Sequence, residues 1–224
     1  MKTVAFIPIK LNNERTPGKN IKPFSDGTPL MYFVQKTLLS LKKKGVIDKI
    51  YCFCSQEIVK SYLLEGIDFL KRPEHLDRKE TKGTQIYETF VNMVEADIYV
   101  LAHATSPFVT EEHIKKCIAH VHSGEYDSAF CAKKIQNFLW KDDKPLNFVL
   151  NNLPRTQDMA PIYLELSTPY VFSKDTFNRY HSRSGIKPFI CEASEIEAID
   201  IDYPEDFQLA DVVYTNIIKK QEVK

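Results

Sequence analysis

Short apolar runs alternate with helical patterns along this chain, and few architectures other than a layered α/β domain accommodate that order. Thr3–Ile9 reads as a strand. Leu30–Lys43 reads as an amphipathic helix, with Leu30, Phe33, Val34, Thr37, Leu38 and Leu41 on one face and Gly45 ending it. Lys49–Cys54 is a second strand, Glu57–Leu64 a helix, and Phe69–Lys71 a short strand. Thr84–Val94 is helical and Ile98–Ala102 is the next strand. Thr110 caps a helix that reaches about His122, with acids in its first turn. Ser128–Lys133 is a further strand. This order implies a mostly parallel sheet with helices on both faces.

The alternation breaks after Lys133. Residues 134–170 mix aromatics, Asp/Asn/Pro turns and short strand-like runs. They predict an inserted arm or small subdomain suited to dimer contacts, within a chain that is otherwise one domain over 1–224. The pattern resumes with a Lys174–His181 helix and an Ile190–Ala193 strand. Pro204 opens a last helix, Pro204–Ile218, where its missing N–H is tolerated, and Lys219–Lys224 is expected to fray.

Composition narrows the function. The 30 basic and 30 acidic residues cancel, which argues against bulk electrostatic binding to nucleic acid. No apolar run approaches the roughly 20 residues of a membrane span. The N-terminal run is broken by Pro8 and reads as a strand rather than a signal peptide. The five cysteines are odd in number and scattered, so they suggest neither a disulfide framework nor a zinc-ligand spacing. Cys52 and Cys54 share one strand face as buried thiols, and a cytoplasmic location is expected.

Four constellations could carry chemistry. The first is the loop that ends the first strand, Ile7-Pro8-Ile9-Lys10-Leu11-Asn12-Asn13-Glu14-Arg15-Thr16-Pro17-Gly18-Lys19-Asn20. Open α/β sheets bind ligands at the carboxyl ends of their strands. Backbone N–H groups and cations there suit a polyphosphate, although the same composition also describes an ordinary polar βα loop. Neither the Walker A spacing nor the Gly-x-Gly-x-x-Gly turn is present. The second is Asp200 and Asp202, two apart in an extended segment, so their carboxylates point to one side. Such a pair repels itself unless a cation intervenes, and Mg²⁺ takes one or two carboxylates with substrate phosphate oxygens. A solvated acidic turn before the last helix is the alternative.

The third is Ala102-His103-Ala104-Thr105-Ser106-Pro107, at the same sheet edge as the loop. His103 suits a substrate contact or acid/base work, or else a structural role. The fourth is Pro154-Arg155-Thr156-Gln157-Asp158 with Tyr163 downstream, in which Arg155 is either an anion clamp or half of a surface ion pair. His113, His120 and His122 share one helix and read as surface or edge residues.

In order along the chain, Ile7–Asn20, Arg72-Pro73-Glu74-His75-Leu76, Thr105-Ser106-Pro107, Arg155–Asp158 and Ile199–Asp206 resemble the acylneuraminate cytidylyltransferase family. That family comprises the CMP-sialic acid synthetases, with the CMP-Kdo synthetases as relatives. The resemblance runs from Thr3 to about Asp211. It implies a Rossmann-like fold, a homodimer with an interlocked arm, and Mg²⁺-dependent transfer of CMP from CTP to a small anionic acceptor with release of pyrophosphate. By position it puts Lys10 near the triphosphate, where an Arg is usual. Leu11, Asn12, Arg15, Lys19 and Asn20 fall on the nucleotide loop, and Arg72 and Thr84 near the cytidine. Asp200 and Asp202 match the metal pair. His103, in place of a common glutamine, falls beside the acceptor with Arg155, Gln157 and Tyr163. Lys10, Lys19 and Asp202 are thereby the expected catalytic residues.

Two departures concern the acceptor and the loop. Asn13-Glu14-Arg15 stands where the family often reads Ser-Lys-Gly, so Glu14 replaces a cation that Arg15 restores. Tyr163 is followed by Leu164-Glu165-Leu166-Ser167, where the sialic-acid enzymes carry Arg-x-Asn-Gly. An arginine is lost and an acid gained, at a cost to carboxylate binding of about 1.5–3 kcal/mol. The acceptor is therefore either a nonulosonic acid such as N-acylneuraminate or a small phosphate or phosphonate such as L-glutamine phosphate. Either product would feed surface-polysaccharide synthesis. A non-catalytic nucleotide-binding homologue is the competing reading. A nucleotide-sugar glycosyltransferase is disfavoured because no mid-chain Asp-x-Asp sits at a strand end.

Overall fold

The computed structural model describes residues 1–13 and 15–222. Seven strands form one sheet in the order β3-β2-β1-β4-β8-β5-β9. They are β1 Thr3–Ile9, β2 Lys49–Cys54, β3 Asp68–Lys71, β4 Ile98–Leu101, β5 Ser128–Ile135, β8 Ile162–Ser173 and β9 Pro188–Ala193. Two short strands, β6 Trp140–Lys141 and β7 Lys144–Pro145, pair as a separate hairpin. β1 pairs in parallel with both β2 and β4, β2 with β3, and β5 with β9. Only β8 runs against its neighbours, β4 and β5. The expected mostly parallel sheet is thus present, with one antiparallel strand in it.

Helices cover both faces. α1 Leu30–Lys43 and α3 Glu111–His122 bury Val34, Leu38, Leu41, Ile114, Cys117 and Val121 against one face. α2 Gly83–Met93 and α4 Lys174–Tyr180 bury Tyr87, Phe90 and Phe177 against Phe6, Phe53, Tyr99 and Phe172 on the other. Phe6 and Phe90 stack at 4.1 Å. A third core packs Phe24, Leu30 and Phe33 against Ile201, Phe207 and Tyr214, docking the chain's last helix, α5 Pro204–Val213, onto α1.

Several elements differ from expectation. Glu57–Tyr62 is a 3₁₀ segment rather than a helix to Leu64, with only Val59 buried. The last helix passes through a π-helical stretch, Tyr214–Ile218, before closing with α6 Lys219–Glu222; the end of the segment expected to fray, 223–224, lies outside the described residues. The segment 134–170 does not leave the sheet as a whole: β8, which begins at Ile162, lies inside it. What projects is the stretch from about 136 to 161, carrying the β6–β7 hairpin. Asp142 and Asp143, with φ of 50° and 59°, form its turn.

Candidate functional site

The chain runs from β1 outward to β2 and β3, then returns to place β4 on the other side of β1. The strand order reverses between β1 and β4, and the crevice at their carboxyl ends is where open α/β sheets take ligands. Three segments meet there: the loop after β1, the loop after β4, and the stretch before α5. The Ile201 N–H donates to the Thr105 carbonyl at 2.8 Å, joining the last two.

Lys19 joins the first and third. Gly18, at φ 66°, turns the chain into a short 3₁₀ segment, Lys19–Ile21, and so aims Lys19 inward. Lys19 is only 6% exposed. Its Nζ donates to the Ile201 carbonyl and to Asp202 Oδ1, the latter at 2.9 Å. Arg15 Nη1 donates to Asp202 Oδ2 at 2.7 Å, and Thr16 Oγ1 to the Asp202 carbonyl at 3.0 Å. Burial would raise the Asp202 carboxyl, but Lys19 and Arg15 outweigh it and hold the group below its ordinary value. Asn20 Nδ2 donates to the Lys10 carbonyl at 2.8 Å, and Asn12 Oδ1 accepts from Gln56 at 3.2 Å. Leu11 packs on the sheet core and anchors the loop's start. These residues bound a cleft of about 260 Å³ lined by Lys10, Asn12, Arg15, Lys19, Lys79 and Asp202 among others. Glu14 lies outside the described residues.

Asp200 flanks the fully buried Ile201 on the other side, but its partners differ from those of Asp202. Oδ1 accepts from Ser106 at 3.3 Å and Oδ2 from Ser167 at 2.8 Å. The acidic turn is therefore tied into the structure at both carboxylates.

His103 lies next to this pair through Ser167. Its Nδ1–H donates to the Ser167 carbonyl at 2.5 Å, which leaves Nε2 to accept from the Tyr87 hydroxyl at 3.3 Å. Burial pushes the imidazolium below its ordinary pKa against the opposing pull of the Ser167 carbonyl, so the ring is neutral at pH 7. Behind it stands a residue that the sequence did not single out. Arg183 donates to Tyr87 at 3.3 Å and to Glu165 at 2.9 Å, and lies 3.6 Å from the Tyr170 ring centroid. Tyr170 also donates to Glu165, at 2.6 Å.

Other expected site residues stand apart from the cleft. Arg72 is 1% exposed at the end of β3 and donates to Asp77 at 2.5 Å, with its Nε lacking a partner. Thr84 is exposed in the first turn of α2. Arg155 is 74% exposed and pairs with Asp158 at 2.7 Å, the surface ion pair left open by its sequence context. Gln157 is exposed beside it, and Tyr163 is partly exposed at the start of β8. His113, His120 and His122 are each half-buried rather than at the surface, and each is engaged, with Glu197, Phe189 and Thr3 respectively.

A family model described as Cytidylyltransferase matches residues 4–222. The chain belongs to the cytidylyltransferase family. Among curated relatives, N-acylneuraminate cytidylyltransferase of Streptococcus agalactiae serotype III is 23% identical over 218 residues, covering 92% of this chain and 52% of that protein. N-acylneuraminate cytidylyltransferase A of Danio rerio is 24% identical over 217 residues, covering 92% and 49%. The chain thus spans about half the length of the curated relatives it matches. Among solved structures, a CMP:2-keto-3-deoxy-manno-octonic acid synthetase complexed with CTP superposes with a TM-score of 0.71 at 17% identity, covering 99% and 100% of the two chains. The 4-diphosphocytidyl-2C-methyl-D-erythritol synthase of Anaerococcus prevotii gives 0.69 at 15%, covering 96% of each. In this member of the family the loop after β1 and the stretch before α5 are joined through Lys19, Arg15 and Asp202. Glu165, in the 164–167 stretch that departs from the pattern of the sialic-acid enzymes, pairs with Arg183. The signal for Arg183 was the unmatched acid: Glu165, gained where an arginine was lost, needed a cation from elsewhere in the chain.

Proposed function

We propose that this chain transfers CMP from CTP to a small anionic acceptor and releases pyrophosphate. The observation that carries this is the Lys19–Asp202–Arg15 cluster at the strand-order reversal, in a cleft also lined by Lys10. Those three cations, with Lys79 a fourth on the lining, suit a triphosphate. The acceptor oxygen attacks the α-phosphorus, a new P–O bond forms, and the bond to the departing pyrophosphate breaks. Lys10, Lys19 and Arg15 collect the charge that builds on the leaving group, the contribution that dominates most phosphoryl transfers. Asn12, Asn20 and Leu11 hold the loop that presents them.

The donor set fits Mg²⁺. Asp202 is kept ionised, Asp200 stands two residues away, and both offer hard oxygens of the kind the ion takes together with phosphate oxygens. Bound there, Mg²⁺ would neutralise triphosphate charge. In this reading Asp202 exchanges its partners as the triphosphate arrives, and Lys19 and Arg15 turn from the carboxylate to the phosphates.

For the acceptor, His103, Arg183 and Glu165 are the contact points this reading favours, backed by the buried Tyr87 and Tyr170. Arg183 is paired with Glu165 at 2.9 Å, which favours an anionic acceptor able to displace that carboxylate. Both a nonulosonic acid and a small phosphate such as L-glutamine phosphate meet this condition. The names of the curated relatives support a sugar-acid acceptor, and the exposed arm supports a homodimer; a product used in surface polysaccharide and made in the cytoplasm belongs to the same proposal.

Pyrophosphate release from CTP with a panel of both acceptor classes tests the proposal. Release with a member of either class is expected, dependent on Mg²⁺ and reduced in R183A through KM for the acceptor. CTP binding with no release for any acceptor would favour the non-catalytic reading instead.

A further inference from the structure

The five cysteines are scattered along the sequence, yet three of them come together in space. Cys131 on β5 and Cys191 on β9 are direct partners in the parallel ladder at the sheet edge. Cys117, on α3 packed over that edge, belongs to the same buried cluster as both. All three are buried and free. Buried thiols alone say little, because a free cysteine packs as a small apolar side chain. The informative addition is His113, one turn before Cys117 on the same helix and therefore on the same face. The ligand atoms of His113, Cys131 and Cys191 all lie within 4.8 Å of one another. Zinc–sulfur bonds near 2.3 Å and zinc–nitrogen bonds near 2.0 Å place tetrahedral donors roughly 3.5–3.8 Å apart, so side-chain adjustments of about 1 Å would close the set.

The surroundings of His113 match that use. Its Nδ1 donates to Glu197 Oε1 at 2.7 Å. Glu197 is 4% exposed and is held in turn by the Thr110 and Ser194 N–H groups, both at 3.0 Å, and by their hydroxyls, both at 2.9 Å. A fixed carboxylate behind one imidazole nitrogen is the arrangement that orients metal-binding histidines and leaves Nε2 with its lone pair. None of these residues lines the cation-rich cleft.

We propose that His113, Cys131 and Cys191 form a site for one thiophilic metal ion, zinc(II) by its two-thiolate, one-imidazole donor set with a fourth position left to solvent, separate from the nucleotide cleft. Binding releases the thiol protons to solvent and ties the edge strand β9 to β5 and α3. No redox step is involved.

Cobalt(II) serves as the probe. The full chain is freed of metal, kept reduced and anaerobic, checked for five free thiols and titrated with Co²⁺. One equivalent is expected to produce thiolate-to-cobalt charge transfer and the visible bands of a tetrahedral ion. One equivalent of Zn²⁺ is expected to bleach both. In E197Q, affinity is expected to fall about 10- to 100-fold with the bands retained. In C131S/C191S, shown folded by circular dichroism, the charge-transfer band is expected to vanish. The proposal is overturned if the folded, reduced wild type gives no charge-transfer band, if the band survives in C131S/C191S, or if Cys131 and Cys191 form a disulfide that no metal prevents.

Discussion

Lys19 is a buried cation answered by Asp202, and that pairing governs the first prediction. Replacing Asp202 with Asn keeps the shape and removes the charge. The charged carboxylate that would hold Mg²⁺ is lost, on the scale of one charge-assisted contact, about 1.5–3 kcal/mol. CTP-dependent kcat/KM is expected to fall about 10- to 150-fold, which corresponds to one such contact. Undiminished turnover in D202N would remove Asp202 from the site. His103 gives a pH prediction. Its folded pKa lies below the ordinary imidazole value, and its unfolded pKa is near 6.5. Below about pH 6.5 the unfolded chain takes up a proton that the native state refuses, so stability falls with falling pH until the folded pKa is passed. Above that window the contribution is fully present. Urea midpoints between pH 5 and 8 are expected to drop on the acid side, by less in H103Q, which has nothing to titrate. The loop cations and the acidic pair were legible in the sequence because each sits at a strand end or next to a helix start. The partners of Asp200, Ser106 and Ser167, were not, because only the folded chain brings three such distant segments together.

At the scale of elements, the 3₁₀ turn Glu74–Asp77 holds the end of β3 through one ion pair. Asp77 accepts from Arg72 and from the Ser55 hydroxyl, and Arg72 also donates to the Phe53 carbonyl at 3.4 Å. Removing one partner leaves a guanidinium buried without its counter-charge. D77A is therefore expected to lose about 3–5 kcal/mol in urea unfolding. R72M/D77L, which removes both charges, is expected to recover most of that. Equal losses in the two variants would mean that packing, not charge, sets the cost. Elements with clean periodicity were legible: the spans of β1, β2 and α1 match the apolar pattern residue for residue. β8 was not. Its first half, Ile162–Ser167, alternates unevenly, with only Leu166 buried, because it borders the projecting arm. A strand that is half edge and half core has neither the alternation of the one nor the continuous apolar run of the other.

At the scale of the whole molecule, the arm is the part of the surface that the monomer leaves unexplained. Phe138, Trp140, Leu146, Val149, Leu150 and Leu153 are all exposed, within one stretch that the main sheet does not cover. Exposed apolar side chains scattered singly need no account, but a run of them on one projection marks an interaction surface. A second copy of the chain is the occupant proposed above, and symmetry would let each arm cover the other's. The prediction is specific to the tip. V149S/L150S/L153S removes three of the most exposed side chains and touches no residue of the cleft or of the sheet core. Sedimentation is expected to show a dimer for the wild type and a monomer for the variant. Thermal unfolding of the variant is expected to lose the dependence on protein concentration that a coupled dimer imposes. A wild-type chain that sediments as a monomer at all concentrations would leave the arm without this partner. A variant that stays dimeric would place the interface elsewhere on the sheet.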